Sequence, residues 1–198
     1  MSVSQSPMSL KRGRGLPVVT LALCAVSAAL SVVSLVQTPL DPPWRDLHSS
    51  DAFRSMDFWL LVLPATLLHS SWHHLLPNLA IALLLGTAVE RRIGPLWLIG
   101  FVLLCSVLPT GLELWLSGRP QIGISGIDYA LLGFLLPNPP PVRRAAWLVF
   151  AVILLGWLAA GVIFPISPAN PPGNVSHFSG LVLGMVAGLL FRARAQQT

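Results

Sequence analysis

Six apolar runs, separated by short polar or proline-containing breaks, make up most of the chain. A helix that crosses the hydrocarbon core of a bilayer needs about 20 mostly apolar residues. The pattern therefore predicts six membrane-spanning helices, of which the fourth is short because a proline-rich stretch ends it. The predicted spans cover residues 16–36, 72–90, 95–116, 124–137, 145–164 and 176–191.

The longest break between spans, residues 37–71, contains a further apolar stretch. It runs from Phe58 to Leu68 and is interrupted by Pro64. Because this stretch is too short to cross a bilayer, we expect it to lie in or on the membrane interface.

Both chain ends are polar, and we expect them to be cytoplasmic tails. Residues 1–14 are predicted to be disordered, and residues 193–198 form the second tail, which leaves one membrane domain at 15–192. The basic start followed by an apolar run resembles a signal peptide. That run is too long for a typical signal sequence and further spans follow it, so we interpret it as the first span.

Composition supports a polytopic, all-α membrane protein. Of the 198 residues, 54% are hydrophobic and 10% are charged, and the mean hydropathy is +0.74. These values lie outside the range of soluble proteins. The sequence pI of about 10.6 does not indicate a nucleic-acid partner, because the basic residues stand at loop ends and form no basic face. Cys24 and Cys105 both lie in apolar runs, so we expect no structural disulfide.

The positive charges predict the orientation of the spans. Cytoplasmic loops of membrane proteins carry an excess of Lys and Arg. With a cytoplasmic N-terminus, nine basic residues fall on the inside and three on the outside, so both termini are predicted to be cytoplasmic. The inner residues are Lys11, Arg12, Arg14, Arg91, Arg92, Arg143, Arg144, Arg192 and Arg194. The outer ones are Arg45, Arg54 and Arg119.

Polar residues inside the predicted spans are costly in a bilayer and therefore indicate function. Spans two, four and six all run from outside to inside, so the polar residues near their starts share a similar depth in the outer part of the membrane. These residues are His74, Asn78, Ser125 and His177. Asp128 and Tyr129 lie further along span four.

Small residues predict how spans four and six pack. Glycines repeat every four residues on span six and form a smooth stripe, and such stripes let two backbones come close. His177 precedes the first of them by three residues and so shares their face. The stripe consists of Gly180, Gly184 and Gly188, and span four has a small face of Gly126, Ala130 and Gly133. Pressing these faces together would bring His177 beside Ser125, with Tyr129 one turn below to stack on the imidazole.

A serine beside a histidine predicts acyl-transfer chemistry. A serine hydroxyl needs a base within hydrogen-bond reach, and histidine titrates in the right range for that role. On span two, His74 and Asn78 form an i,i+4 pair on one face and are candidates to stabilise an oxyanion, each donor contributing roughly 3 kcal/mol. Taken singly, each residue also has a structural interpretation. Ser125 is then a helix cap and His177 an interfacial histidine. His74 and Asn78 then form hydrogen bonds between helices.

Four short motifs, in order, resemble those of the rhomboid intramembrane serine proteases. They are HSSWHHLLPN at 69–78, VERRIG at 89–94, GISG at 123–126 followed by Tyr129, and HFSG at 177–180 followed by Gly184. The resemblance covers spans two to six and implies a six-transmembrane-helix rhomboid-like bundle.

The resemblance also implies roles for single residues. It implies that Ser125 is the nucleophile and His177 the general base, without a required third acid. It implies an oxyanion hole formed by His74, Asn78 and the Ser125 backbone N–H. Supporting positions implied by the same motifs are His69, Glu90, Tyr129, Gly123, Gly126, Gly180 and Gly184.

The function that the resemblance implies is hydrolysis of peptide bonds in or near the transmembrane segments of membrane-anchored proteins. The partners are then transmembrane substrates and the lipid bilayer, without a cofactor, in a multi-pass protein of the bacterial inner membrane. The substrate helix must unwind locally, because a hydrogen-bonded helix does not present its carbonyl groups. Small or helix-breaking residues at the cleavage site are what the family implies.

Other interpretations of the sequence stay open. One is a catalytically silent rhomboid-like protein that binds membrane helices, and another is a specialised relative that trims the sorting-signal tails of exported proteins. A small-solute transporter is disfavoured by the lack of internal repeats. The spacing of His69 and His73 would suit a metal, but there is no HExxH motif and no nearby acid, so we expect none. Asp128 is unexpected at an apolar position, and its membership of a catalytic triad is an alternative.

One family feature is missing from its usual place. The family often has a Trp-Arg pair about nine residues before the loop histidine, and here Trp59-Leu60 stands near that place. The pair Trp44-Arg45 lies too far upstream to replace it. We expect membrane anchoring of the first outer loop, or substrate handling, to differ accordingly.

Overall fold

In a computed structural model of the protein, residues 15–36, 56–117, 121–163 and 174–197 are described. These residues form seven helices and no strand, which confirms the all-α prediction. The helices are α1 (Val18–Val36), α2 (Met56–Leu67), α3 (Trp72–Ile93), α4 (Pro95–Ser117), α5 (Ser125–Leu135), α6 (Arg144–Ile163) and α7 (Asn174–Ala195).

Several predictions fall outside the described residues. They concern the disordered tail at 1–14, the Trp44-Arg45 pair and the basic residues Lys11, Arg12, Arg14, Arg54 and Arg119. The predicted interfacial stretch does fall within them and forms α2, in which Pro64 is accommodated inside the helix.

Four described helices, α1, α3, α4 and α7, are long and apolar enough to cross a membrane. Two shorter apolar helices accompany them, at Ser125–Leu135 and Arg144–Ala160. At 1.5 Å per residue, α5 is about 17 Å long, well short of the hydrocarbon thickness of about 30 Å. The polytopic membrane bundle is confirmed, whereas the count of six spans stays a prediction.

Helix α5 forms the centre of the bundle. All eleven of its residues are buried, and it packs against α7, α3 and α4. A short helix can lie wholly inside a membrane protein when its neighbours bond its ends and enclose its sides. Its position makes α5 the element around which a site can be held rigidly.

Small residues bring α5 and α7 into backbone contact. A Cβ on Gly184 would overlap the carbonyl oxygen of Ala130, and one on Gly180 would overlap that of Gly126. On the other side, a Cβ on Gly133 would overlap the carbonyl oxygen of Leu181. These overlaps mean that the predicted face-to-face packing of the glycine stripe on the small face of α5 is present.

Helix α1 packs through buried polar residues as well as through partly buried apolar ones. Its buried residues are Thr20, Ser27 and Ser31, and Glu90 of α3 accepts bonds from the Thr20 N–H and hydroxyl at 2.9 and 2.7 Å. The Ser27 hydroxyl donates to the Leu67 carbonyl at 2.7 Å. Where lipid covers the outer apolar side chains, such bonds supply the attraction between helices.

Helix α6 lies at the edge of the bundle. Over residues 144–160 its buried residues are Trp147, Ala151 and Leu158, which form one narrow stripe, whereas Trp157 is 73% exposed. Exposed apolar residues over most of its surface suit contact with lipid. Compared with α3, α4 and α7, helix α6 has the smallest share of buried residues among its described positions.

Candidate active site

The side chains of Ser125 and His177 meet where α5 and α7 begin. Ser125 Oγ lies 2.7 Å from His177 Nε2, within the range of a strong hydrogen bond. Ser125 is the first residue of α5, and His177 lies in the first turn of α7. The two residues are 52 positions apart in sequence, so the backbone contact of their helices sets this distance.

Gly123 leaves space for the imidazole rings of His69, just before α3, and His74, in the first turn of α3. Its φ is +106°, a backbone conformation that residues with a side chain rarely adopt. A Cβ at this position would lie 2.9 Å from His74 Cε1 and 3.4 Å from His69 Cδ2. The turn before Ser125 therefore requires glycine for its conformation and for the approach of both rings.

Tyr129 packs against the imidazole of His177, as the sequence predicts. The ring centroids are 4.8 Å apart with an interplanar angle of 38°, which is within the usual range for aromatic pairs. The hydroxyl of Tyr129 donates to the Leu154 carbonyl of α6 at 3.1 Å. Tyr129 thus fixes one side of the imidazole and also links α5 to α6.

A buried carboxylate holds the start of α7. Glu113 of α4 accepts a hydrogen bond from the backbone N–H of Ser176 at 2.9 Å, and Ser176 directly precedes His177. An acidic group at a helix N-terminus is favoured by the unpaired N–H groups there. The sequence analysis did not identify Glu113. The available signal was an acidic residue near the end of an apolar helix, because burying an acid in a membrane is energetically costly unless it has a partner.

The two predicted side-chain donors of the oxyanion hole, His74 and Asn78, lie against His69, which was predicted as a supporting residue. The amide nitrogen of Asn78 contacts Nε2 of His69 at 3.1 Å, and the rings of His69 and His74 meet edge to face at 4.8 Å. Nδ1 of His69 lies 3.1 Å from the Ser31 hydroxyl. Asn78 is therefore paired with His69 in this state, and His69 is held in turn by α1.

Burial favours the neutral form of His69. Burial first, and then the charge of nearby His74, together lower the pKa of His69 to about 4. A neutral imidazole has one donor and one acceptor nitrogen. With Nε2 accepting from Asn78, Nδ1 carries the proton and donates to Ser31, so the bond pattern assigns a single tautomer.

Gln121, which the sequence analysis did not identify, also contacts Ser125. The side-chain amide of Gln121 donates to Ser125 Oγ at 2.7 Å, and Gln121 is buried, with 8% of its surface exposed. Gln121 falls in the break between the third and fourth predicted spans, to which the sequence analysis gives no function. The available signal was a side-chain amide two residues before the GISG motif.

Asp128 has no hydrogen-bond partner for either carboxyl oxygen within the described part of the chain. It therefore makes no bond to His177 there, and the triad alternative gains no support. His73 is exposed, and no group of three or more metal-ligating side chains occurs among the described residues.

A family model for the Rhomboid domain matches residues 55–194. The chain belongs to the rhomboid family. It is also 30% identical over 128 residues to the Rhomboid protease GlpG of Haemophilus influenzae. That alignment covers 63% of this chain and 66% of the relative, just under two thirds of the relative's length. Together with the apolar helices, family membership makes this a multi-pass integral membrane protein.

Proposed function

We propose that this protein is an intramembrane serine endopeptidase in which Ser125 is the nucleophile and His177 the general base. The observation that carries the proposal is the distance of 2.7 Å between Ser125 Oγ and His177 Nε2 at the meeting point of two glycine-packed helices. A close serine–histidine pair held by rigid elements is what nucleophilic catalysis needs. Membership of a family that includes a named protease supports the same activity.

The reaction proceeds through an acyl-enzyme. His177 Nε2 takes the hydroxyl proton as Ser125 Oγ attacks the scissile carbonyl carbon, and the same nitrogen then protonates the leaving amine. Water next attacks the acyl carbon while Nε2 takes its proton, and Oγ leaves as it recovers that proton. Tyr129 keeps the imidazole in place by packing against its ring.

The developing oxyanion faces the start of α5. The backbone N–H of Ser125 belongs to the first helical turn, which has no acceptor within the helix. His74 and Asn78 are the proposed side-chain donors, and the Asn78 amide has a second N–H beside the one that contacts His69. Neutral His69 acts as a positioning residue that holds the Asn78 side chain ready when no substrate is bound.

The proposed substrates are transmembrane segments of membrane-anchored proteins. A segment that reaches Ser125 must leave its helical hydrogen bonding, because the hydroxyl lies inside the bundle at the start of α5. The membrane domain at 15–192, with six spans and both termini cytoplasmic in a bacterial inner membrane, agrees with the distribution of Lys and Arg. In that orientation the site opens towards the outer side, from which water enters.

The test is cleavage of a model transmembrane substrate in liposomes. Wild-type protein is compared with Ser125→Ala and His177→Ala, and with Ser106→Ala as a control. The control removes a buried hydroxyl whose hydrogen bond to the Val102 carbonyl lies within α4. We expect each site variant to lose at least about a thousandfold in kcat and the control to cleave like wild type.

Two results would overturn the proposal. One is cleavage at wild-type rates by both site variants. The other is a folded wild-type protein that neither cleaves nor is labelled by a fluorophosphonate, which would favour a silent helix-binding member of the family. Exchanging the substrate for one with a sorting-signal tail shows whether the enzyme is specialised for such tails.

A further inference from the structure

We propose that Gln121 is a third catalytic residue of this site, one that donates a hydrogen bond to the reacting oxygen of Ser125. The inference rests on the proposed peptidase function and deepens it. Its basis is the distance of 2.7 Å between the Gln121 amide nitrogen and Ser125 Oγ. The same oxygen lies 2.7 Å from His177 Nε2, so it is held between two nitrogens.

The surroundings of Gln121 hold it in place. The residue is buried, and its Oε1 would lie 3.5 Å from a Cβ on Gly126, so the amide oxygen is on the side of the first turn of α5. Two residues further on, the Gly123 N–H donates to the Ala65 carbonyl of α2 at 3.3 Å. The segment that carries Gln121 is thereby tied to both α2 and α5.

Counting protons assigns the direction of the bond. A serine hydroxyl has one proton and two lone pairs. When His177 acts as the base, its Nε2 is unprotonated and must receive that proton. The contact from Gln121 to Oγ is then a donation by the amide N–H to one lone pair, which leaves the other lone pair for attack. Gln121 therefore directs the hydroxyl proton towards His177.

The bond contributes most when the acyl-enzyme breaks down. In the acyl-enzyme Oγ is an ester oxygen and a weak acceptor. After water has added and passed its proton to His177 Nε2, the bond between the acyl carbon and Oγ breaks, and Oγ takes the proton back from Nε2. Negative charge builds on Oγ during this step, and hydrogen bonds to charged acceptors are the stronger ones. The Gln121 N–H is already in place to stabilise that charge.

A set of matched variants tests the inference in liposomes. Gln121→Met keeps the length of the side chain without a donor, and Gln121→Glu keeps its shape but replaces the N–H groups by an acceptor. Gln196→Met is the control, because Gln196 is exposed beyond the end of α7. Fluorophosphonate titration counts the competent sites, thermal unfolding reports folding, and acid quenching with mass spectrometry measures the trapped acyl-enzyme.

We expect both Gln121 variants to lose between about 10- and 100-fold in kcat per titrated site. We also expect acyl-enzyme to accumulate in Gln121→Met beyond the wild-type level, with the control unchanged. If wild type cleaves, Ser125→Ala does not, and both Gln121 variants turn over like wild type per titrated site, the inference is overturned and the peptidase function stands. The inference is also overturned if the variants lose only thermal stability. Failure of wild type to cleave and to be labelled overturns both proposals.

Discussion

The two flanks of α5 are built differently. Towards α7, glycines let the backbones touch, so that no side chain lies between Gly180 or Gly184 and the carbonyl groups of α5. Towards α6, the Tyr129 hydroxyl donates a hydrogen bond to the Leu154 carbonyl, and the buried residues of α6 belong to the same apolar core as α5. The α7 flank is joined by backbone contact, whereas the α6 flank is joined through side chains.

The difference shows where the site needs rigidity. The distance between Ser125 and His177 depends on the α7 flank, because each residue sits at the start of one of the two touching helices. No predicted catalytic side chain lies on α6, so displacement of α6 disturbs less of the site. Substitutions on the two flanks should therefore differ in size and in kind.

The largest effect is expected on the α7 flank, from Gly184→Val. A side chain here meets the backbone of Ala130, so the helices must separate at a cost of about 3 kcal/mol or more, and His177 moves away from Ser125. Thermal unfolding in detergent and cleavage in liposomes should both fall strongly. Gly156→Val on α6 is the matched control, since a Cβ there meets nothing within 4 Å. Equal losses in the two variants would contradict the comparison.

A smaller effect is expected from Glu113→Ala, which removes the acceptor at the start of α7. The Ser176 N–H loses a partner inside the bundle, and an unsatisfied buried donor costs about 1–3 kcal/mol. Glu113→Gln keeps an acceptor oxygen and should lose less than half as much. Unfolding temperatures of the two variants decide the point, and identical losses would show that the charge matters rather than the bond.

Tyr129→Phe separates the two contacts of this residue. It removes the bond to Leu154 on the α6 flank but keeps the ring against His177. We expect stability to fall by about 1 kcal/mol and kcat to stay near wild type. Tyr129→Ala removes the ring as well and should lower kcat. A Phe variant as inactive as the Ala variant would make the α6 bond part of the catalytic geometry.

The smallest effect is expected from Asp128→Asn. Asp128 is the polar residue of α5 for which neither α6 nor α7 supplies a hydrogen bond among the described residues. Neither carboxyl oxygen has a partner among the described residues, so an amide of the same shape should change stability by less than about 1 kcal/mol. Cleavage should be retained. A loss as large as that of His177→Ala would give Asp128 a catalytic role after all.

The sequence predicted some parts of the site and not others. Helical periodicity placed His177 on the glycine stripe and Tyr129 one turn after Ser125, and both placements are found. It did not reveal that Asn78 contacts His69 or that α1 supports His69 through Ser31. Those contacts join a loop residue to two helices. Such contacts depend on side-chain rotamers and on the tertiary positions of the helices, which local sequence patterns do not predict.

What the sequence by itself determined is the helical membrane bundle and the pairing of α5 with α7. These follow from local rules, since a bilayer enforces regular helices and small residues in register mark the faces that touch. Only the tertiary structure decided that Gln121 and Glu113 reach the site. The side chain of Glu113 comes from the end of α4 and that of Gln121 from the segment before α5, and their positions depend on how the helices are rotated about one another. That rotation is set by packing across the whole bundle rather than by any one stretch of the chain.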